Sequence, residues 1–247
     1  MSEPVRINKY LSEAGICSRR EADRQIEKGN VTINGRTAVM GDKVCPGDQV
    51  MYGTRKVSAE EEPVLLAVNK PGGIVCTSEK REKDNIVDYV GYPTRIYPIG
   101  RLDKNSHGLI LMTNQGELAD AIMRGRNFHE KEYIVKVNRE VTDDFIRKMS
   151  QGVFLKELDT TTRPCQVEKV GKRTFRIILT QGLNRQIRRM CEKFQYRVVD
   201  LKRVRIMNIR LGDLKEGAYR AVTGEEWEKL QELAFYGKAE HGQGLSG

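Results

Sequence analysis

Gly100-Arg101-Leu102-Asp103-Lys104-Asn105-Ser106-His107-Gly108, running straight into Leu109-Ile110-Leu111-Met112, is the stretch that decides how this chain is read. The four apolar residues read as a buried strand, and the polar turn-formers before them as a loop delivering one carboxylate, Asp103, to its end. A lone aspartate beside Asn, Ser and Gly is commonly a turn-former that bonds its own backbone. Here Arg101 and Lys104 flank it, and positive charge favours the carboxylate form and draws phosphate to the same place.

Working outward, residues 65–69 form a second buried-strand pattern, left by the turn Lys70-Pro71-Gly72-Gly73. Further strands are predicted at 132–137, 165–170, 174–179 and 204–211. Helices are predicted at 117–123, 142–150, 184–194 and 223–233, the last opened by a capping box of Thr223 and Glu226. Strands outnumber helices and many join by short turns. The expectation for 64–236 is therefore an α+β domain with a mixed, mainly antiparallel sheet and peripheral helices, not a βαβ repeat.

Residues 1–57 form a smaller α/β unit of two helices followed by a small sheet. A helix over 7–14 ends at Gly15, Ser18-Arg19-Arg20-Glu21 is a capping box opening a second helix, and Gly29 stops it. Val31-Thr32-Ile33 then alternates like a strand before the hairpin turn Asn34-Gly35, and 48–52 offers another strand. Residues 58–63 are polar and read as a linker, and the Gly-rich stretch 237–247 as a disordered tail.

Of 247 residues 38% are hydrophobic, enough for a real core, and 43 Lys and Arg against 34 Asp and Glu give a charge of +9. Such a balance suits a polyanionic partner, although charge alone also describes an ordinary basic protein. The five cysteines are scattered, odd in number and without a Cys-x-x-Cys pair, so neither a disulfide framework nor a zinc site is expected. No apolar run is long enough for a membrane span, the N-terminus does not read as a secretory signal, and a reducing cytoplasm is the expected location. There is no phosphate-binding glycine loop and no dinucleotide fingerprint, and the three histidines are too dispersed for a metal site. A mechanism using one carboxylate, with neither metal nor cofactor, is what remains.

Three further groups carry chemistry. Gln181-Gly182-Leu183-Asn184-Arg185-Gln186-Ile187-Arg188-Arg189-Met190 is a glycine turn feeding a basic helix, and between Arg185 and Arg210 there are nine Lys or Arg and two acids. A solvated face usually alternates its charges, so this enrichment favours a phosphate-binding surface that includes Arg188 and Arg189. Tyr133, in Lys131-Glu132-Tyr133-Ile134-Val135, is by itself an ordinary strand tyrosine. In the N-terminal unit Arg6, Lys9, Arg19, Arg20 and Arg24 lie on or beside the helices, a pattern that by itself also fits a solvated helix face.

Taken together, these motifs resemble a known family. Arg6-Ile7-Asn8-Lys9-Tyr10-Leu11, Ser18-Arg19-Arg20-Glu21-Ala22 and Gly29-Asn30-Val31-Thr32-Ile33-Asn34-Gly35 resemble an S4-type RNA-binding domain, whose helical face grips structured RNA. Lys70-Pro71-Gly72, the Asp103 loop, the Tyr133 strand and the Arg185 helix match, in order, the motifs of RNA pseudouridine synthases. The whole is similar to the RsuA/RluB/RluF group that acts on ribosomal RNA, leaning to its F or B type, the types directed at the large ribosomal subunit. The resemblance implies base flipping and isomerisation of uridine to pseudouridine by an essential aspartate at Asp103. Arg185 would pair with it, Tyr133 would stack on the uracil, and Leu183 would form an apolar wall. Arg101, Lys104, Lys70, Arg188 and Arg189 would hold RNA together with the basic residues of the N-terminal unit. The implied partner is ribosomal RNA or a ribosome assembly intermediate, with transfer RNA as an alternative, and the implied state is a monomer.

Two rivals remain. A non-catalytic RNA-binding or assembly factor would keep the fold without the reaction, but Asp103, Tyr133 and Arg185 are all present. A glycosidase or nuclease would call for paired carboxylates or acids gathered around metal, whereas Asp103 has bases as its neighbours.

Overall fold

A computed structural model of the chain describes residues 3–58, 62–79, 81–124 and 128–236. The expected linker at 58–63 lies partly, and the expected tail at 237–247 wholly, outside these residues, as does His241. The described chain separates into two compact units. One comprises the residues up to Val64 with 93–96 and 114–116, and the other takes the remainder.

The first unit contains β1 (Val5–Arg6), α1 (Ile7–Glu13), α2 (Arg19–Glu27), β2 (Val31–Ile33), β3 (Arg36–Thr37), β4 (Lys43–Val44), β5 (Val50–Tyr52) and β6 (Arg55–Lys56). Ile7 and Leu11 of α1 and Ala22 and Ile26 of α2 turn inward onto Val31, Ile33 and Val50. The charged residues of both helices are thereby left outside. Ser18 caps α2 as expected, its hydroxyl accepting from the Glu21 amide at 3.2 Å, while the Glu21 carboxylate lies with Gln25 at 2.7 Å and Arg24 at 2.9 Å. Asn34 and Gly35 both have positive φ, at 51° and 81°, and Ile33 pairs with Arg36. That is the type I′ hairpin expected from Asn-Gly.

The second unit contains β7 (Leu65–Lys70), α3 (Ile86–Val90), β8 (Tyr97–Ile99), β9 (His107–Thr113), α4 (Gly116–Met123), β10 (Lys131–Val137), α5 (Asp143–Ser150), β11 (Phe154–Leu155), β12 (Thr160–Thr161), β13 (Gln166–Gly171), β14 (Thr174–Leu179), α6 (Gln186–Lys193), β15 (Val198–Ile206), β16 (Ile209–Arg210), β17 (Tyr219–Ala221) and α7 (Gly224–Tyr236). Among the described residues one large sheet runs β13-β14-β10-β15-β9-β7-β17, with β8 joining β9 and β16 joining β15. Every pairing in it is antiparallel except β15 with β9. The fold is thus α+β with a mixed, mainly antiparallel sheet, as the turn spacing implied.

β9 is the hinge of this topology. β7 pairs along one edge from Gly108 to Thr113; on the other edge β15 pairs only with His107 and Gly108, and β8 takes over at Leu111. Leu109 to Met112 are fully buried. Where β15 leaves, the Leu109 carbonyl is met by a side chain instead of a strand, since Arg203 Nε donates to it at 2.7 Å. A buried carbonyl needs such a partner.

Two expectations are corrected here. The strand predicted at 204–211 begins six residues earlier, at Val198, and turns back at Met207 and Asn208 into β16. Its charged members hide the pattern: Arg203 is buried, and Arg205 is neutralised by Glu132 at 2.7 Å and Glu130 at 2.9 Å. The Glu226 carboxylate, assigned to a capping box, is held instead by Arg220 at 2.6 and 2.8 Å.

Gly108 has φ +99°, and a Cβ there would run into the backbone of Arg203, so the single parallel pairing requires glycine. Gly108→Ala is expected to lower Tm by roughly 6 to 12 °C, from overpacking and backbone strain combined. Thermal unfolding of the purified variant checks this.

Candidate active site

The loop entering β9 is fixed from beneath. Ser106 N–H donates to the Asp103 carbonyl at 3.0 Å, closing a tight turn, and Leu102 N–H donates to Cys76 Sγ at 3.4 Å. The Lys104 carbonyl accepts from Gly73 N–H at 2.7 Å and from Lys70 Nζ at 3.3 Å, and Lys70 Nζ also donates to the Pro71 carbonyl at 2.8 Å. Lys70 is fully buried. Burial pushes its ammonium pKa below the ordinary lysine value and nearby Arg203 adds to this, while Cys76, Asp103 and Glu216 oppose it. Lys70 was expected to hold RNA. It has no surface with which to do so, and it pins the Asp103 loop to the end of β7 instead.

Asp103 projects from this turn with its side chain 33% exposed. Its Oδ2 lies 3.6 Å from Arg188 Nε and 3.9 Å from Arg185 Nη1. The two arginines differ. Arg185 is the cap residue of α6, in the left-handed region at φ +50°, and 49% of its side chain is exposed. Arg188 lies one helical turn further, only 14% exposed, with Nη2 donating to Ser106 Oγ at 3.2 Å. Its Nε–H is buried without a hydrogen bond, so the carboxylate of Asp103 is the charge that faces it. The sequence reading paired Asp103 with Arg185; the structure brings both, with Arg188 the closer and more enclosed. The three-residue spacing that puts them on one helix face was the available signal.

The turn before α6 is held by its own side chains. Leu183 N–H donates to the buried Gln186 at 3.1 Å, leaving Leu183 partly exposed beside Arg185. Arg189, expected to face RNA, binds Asn184 at 3.0 and 3.1 Å and Glu157 at 3.5 Å. Arg101 and Lys104 are exposed, the latter 3.5 Å from Asp84.

Tyr133 enters through the sheet register. Gly108 pairs with Arg203, Arg203 with Tyr133, and Tyr133 with Ile177, so the tyrosine shares a row with the start of β9, two strands away. It is 8% exposed. Next to it on the same strand face, Lys131 has its pKa lowered to about 8 by burial, with Arg203 adding to the effect. The sequence reading missed His107, whose Nε2 lies 2.9 Å from Asp200 and whose Nδ1 lies 3.9 Å from Glu216. Among the described residues no cluster of His, Cys, Asp and Glu is placed to hold a metal ion.

In the N-terminal unit Arg6, Arg19, Arg20 and Arg24 are exposed along the helical side, with Arg24 2.9 Å from Glu21 and Lys9 3.6 Å from Glu13. Exposed pairs of this kind contribute little to stability.

Two family models match the chain: an S4 domain over residues 5–50 and RNA pseudouridylate synthase over residues 64–193. The chain is 54% identical over 231 residues to the dual-specificity RNA pseudouridine synthase RluF of Escherichia coli K12, covering 93% of this chain and 79% of that protein. It is 34% identical over 240 residues to the ribosomal large subunit pseudouridine synthase B of Bacillus subtilis, covering 94% and 98%. A crystal structure of a pseudouridylate synthase superposes with a TM-score of 0.67 at 26% identity, covering 93% of this chain and 99% of that one.

If Lys70 acts as a pin, Lys70→Met should leave Tm unchanged or slightly raised, because the desolvation penalty of the buried charge disappears. The amides of Gly73 and Ser106 should then exchange with solvent at least about tenfold faster. Hydrogen exchange measured residue by residue reads this.

Proposed function

This chain belongs to the RNA pseudouridylate synthase family, with an S4 domain ahead of the catalytic unit, and from that premise we propose that Asp103 is the carboxylate with which it acts. The enzyme isomerises uridine to pseudouridine in ribosomal RNA. The observation that carries the assignment of Asp103 is its convergence with Arg185 and Arg188, on a loop held rigid by Lys70.

The reaction breaks the bond from N1 of the base to C1′ of the ribose and forms one from C5 to C1′, with C5 losing a proton and N1 gaining one, so that the product is an isomer of the substrate. The base must therefore leave the RNA stack, detach, turn and be retained. Extrusion costs a few kcal/mol, which protein contacts must offset. In this reading Asp103 starts the detachment, either as nucleophile at C1′ or as base at C2′. Arg188 holds the carboxylate from the helix side and Ser106 fixes Arg188 in turn, so the reacting oxygen is placed before substrate arrives. Arg185, more exposed, stands at the rim, where it meets both Asp103 and an incoming phosphate. Tyr133 stacks on the uracil and Leu183 walls the other side. Arg101, exposed beside the loop, fills the vacated stack or binds a backbone phosphate. The N-terminal helices, through Arg6, Arg19, Arg20 and Arg24, select the RNA element that carries the target.

Pseudouridine mapping of ribosomal and transfer RNA from cells lacking this protein, complemented with wild type or Asp103→Asn, tests the proposal. One ribosomal uridine is expected to lose its modification on deletion and regain it with wild type alone. Modification restored by Asp103→Asn would refute the assignment, and a lost transfer RNA site would extend the substrate range. In vitro, Arg188→Ala is expected to lower kcat by about 100-fold through misplacement of the carboxylate, and Arg185→Ala by less than about tenfold. Single-turnover assays on the mapped RNA compare the two.

A further inference from the structure

Phe128 stands just ahead of β10 with 55% of its surface exposed and its backbone in the left-handed region at φ +54°. A bulky residue is strained there, so its position is set by contacts and not by local preference. The contact is Arg163, whose guanidinium carbon lies 4.0 Å from the ring centroid. That is cation–π stacking distance. Arg163 is itself anchored, its N–H donating to Gln181 Oε1 at 3.2 Å and its Nη1 to the Thr180 carbonyl at 3.2 Å. Sheet register agrees with this placement: Leu179 pairs with Lys131, so the chain leaving β14 passes the residues that precede β10. From Gln181 it is four residues to Arg185, at most about 14 Å of extended chain, and Arg185 reaches to 3.9 Å from Asp103. An exposed ring backed by a guanidinium that is anchored on Thr180 and Gln181 is thus tied to the segment that leads into Arg185, which faces Asp103.

We infer that Phe128, backed by Arg163, is a stacking platform for an unpaired base of the RNA strand beside the flipped uridine. This rests on the RNA-modifying function argued above. Flipping one nucleotide strips its neighbours of a stacking partner, and any base can use an aromatic face in exchange. The cations at hand, Arg163 and Arg185, suit the accompanying phosphates. The platform serves substrate capture and has no part in bond making.

The experiment uses a stem-loop of ribosomal RNA carrying the uridine located by mapping, with 2-aminopurine in place of either flanking base. Wild-type enzyme is expected to quench the fluorescence at one flank. Phe128→Leu should lose that quenching and raise KM about 5- to 100-fold with kcat within about twofold, and Phe128→Trp should restore both. An abasic nucleotide at that flank should weaken wild type to a similar degree and weaken Phe128→Leu no further. Unchanged quenching and KM in Phe128→Leu, with wild type converting the RNA normally, would overturn this inference alone. A wild type that leaves the RNA unmodified would overturn the reading beneath it as well.

Discussion

The catalytic unit is organised around an ammonium group that never meets solvent. Lys70 ends β7 fully buried, and its hydrogen bonds go to the carbonyls of Pro71 and Lys104. Burying an ion costs several kcal/mol even after relaxation, so such a group is a poor device for stability alone. What it provides is location. Lys104 follows Asp103, and Ser106 closes back on the Asp103 carbonyl, so the buried cation sets where the carboxylate stands relative to the sheet. Arg188 then meets that carboxylate from α6 and reaches the same turn through Ser106. A loop tied below and faced from the side holds the Asp103 carboxylate in one place.

The basic excess of the chain divides into two populations that sequence alone merges. Lys70, Arg203 and Arg205 are internal: one pins a loop, one satisfies the Leu109 carbonyl where β15 parts from β9, and one is matched by Glu130 and Glu132. Arg101, Arg185 and the helical arginines of the N-terminal unit are exposed. Arg188 stands between, enclosed yet aimed at Asp103. The arrangement of the exposed cations therefore matters more than the net charge of +9.

Much of this was legible in the chain because local rules and tertiary structure agree. The Asn34-Gly35 turn, the Ser18 cap, β14 at its observed bounds and the apolar run of β9 all follow from turn chemistry and periodicity. Legibility failed where charge is buried. The first six residues of β15, from Val198, escaped the sequence pattern because charged residues break the alternation, Asp200 being met by His107, Arg203 by the Leu109 carbonyl and Arg205 by Glu132. At the proposed site, Asp103 stands out in its own loop, but the nearer of the two arginines that face it was missed because helix geometry, not motif order, puts Arg188 inside and Arg185 at the rim. Phe128 carried no signal at all, since only the fold brings Arg163 over its ring.

The measurement that tests the account most directly is a crystal structure of the protein with its RNA carrying 5-fluorouridine at the target, where fluorine blocks loss of the C5 proton and retains the base in the pocket. The account predicts the target nucleotide out of its stack, its ribose against the Asp103 carboxylate, Arg188 on the other carboxylate edge and Tyr133 against the base. A target uridine held elsewhere on the chain, or bound at this cleft with Asp103 turned away from the sugar, would contradict it.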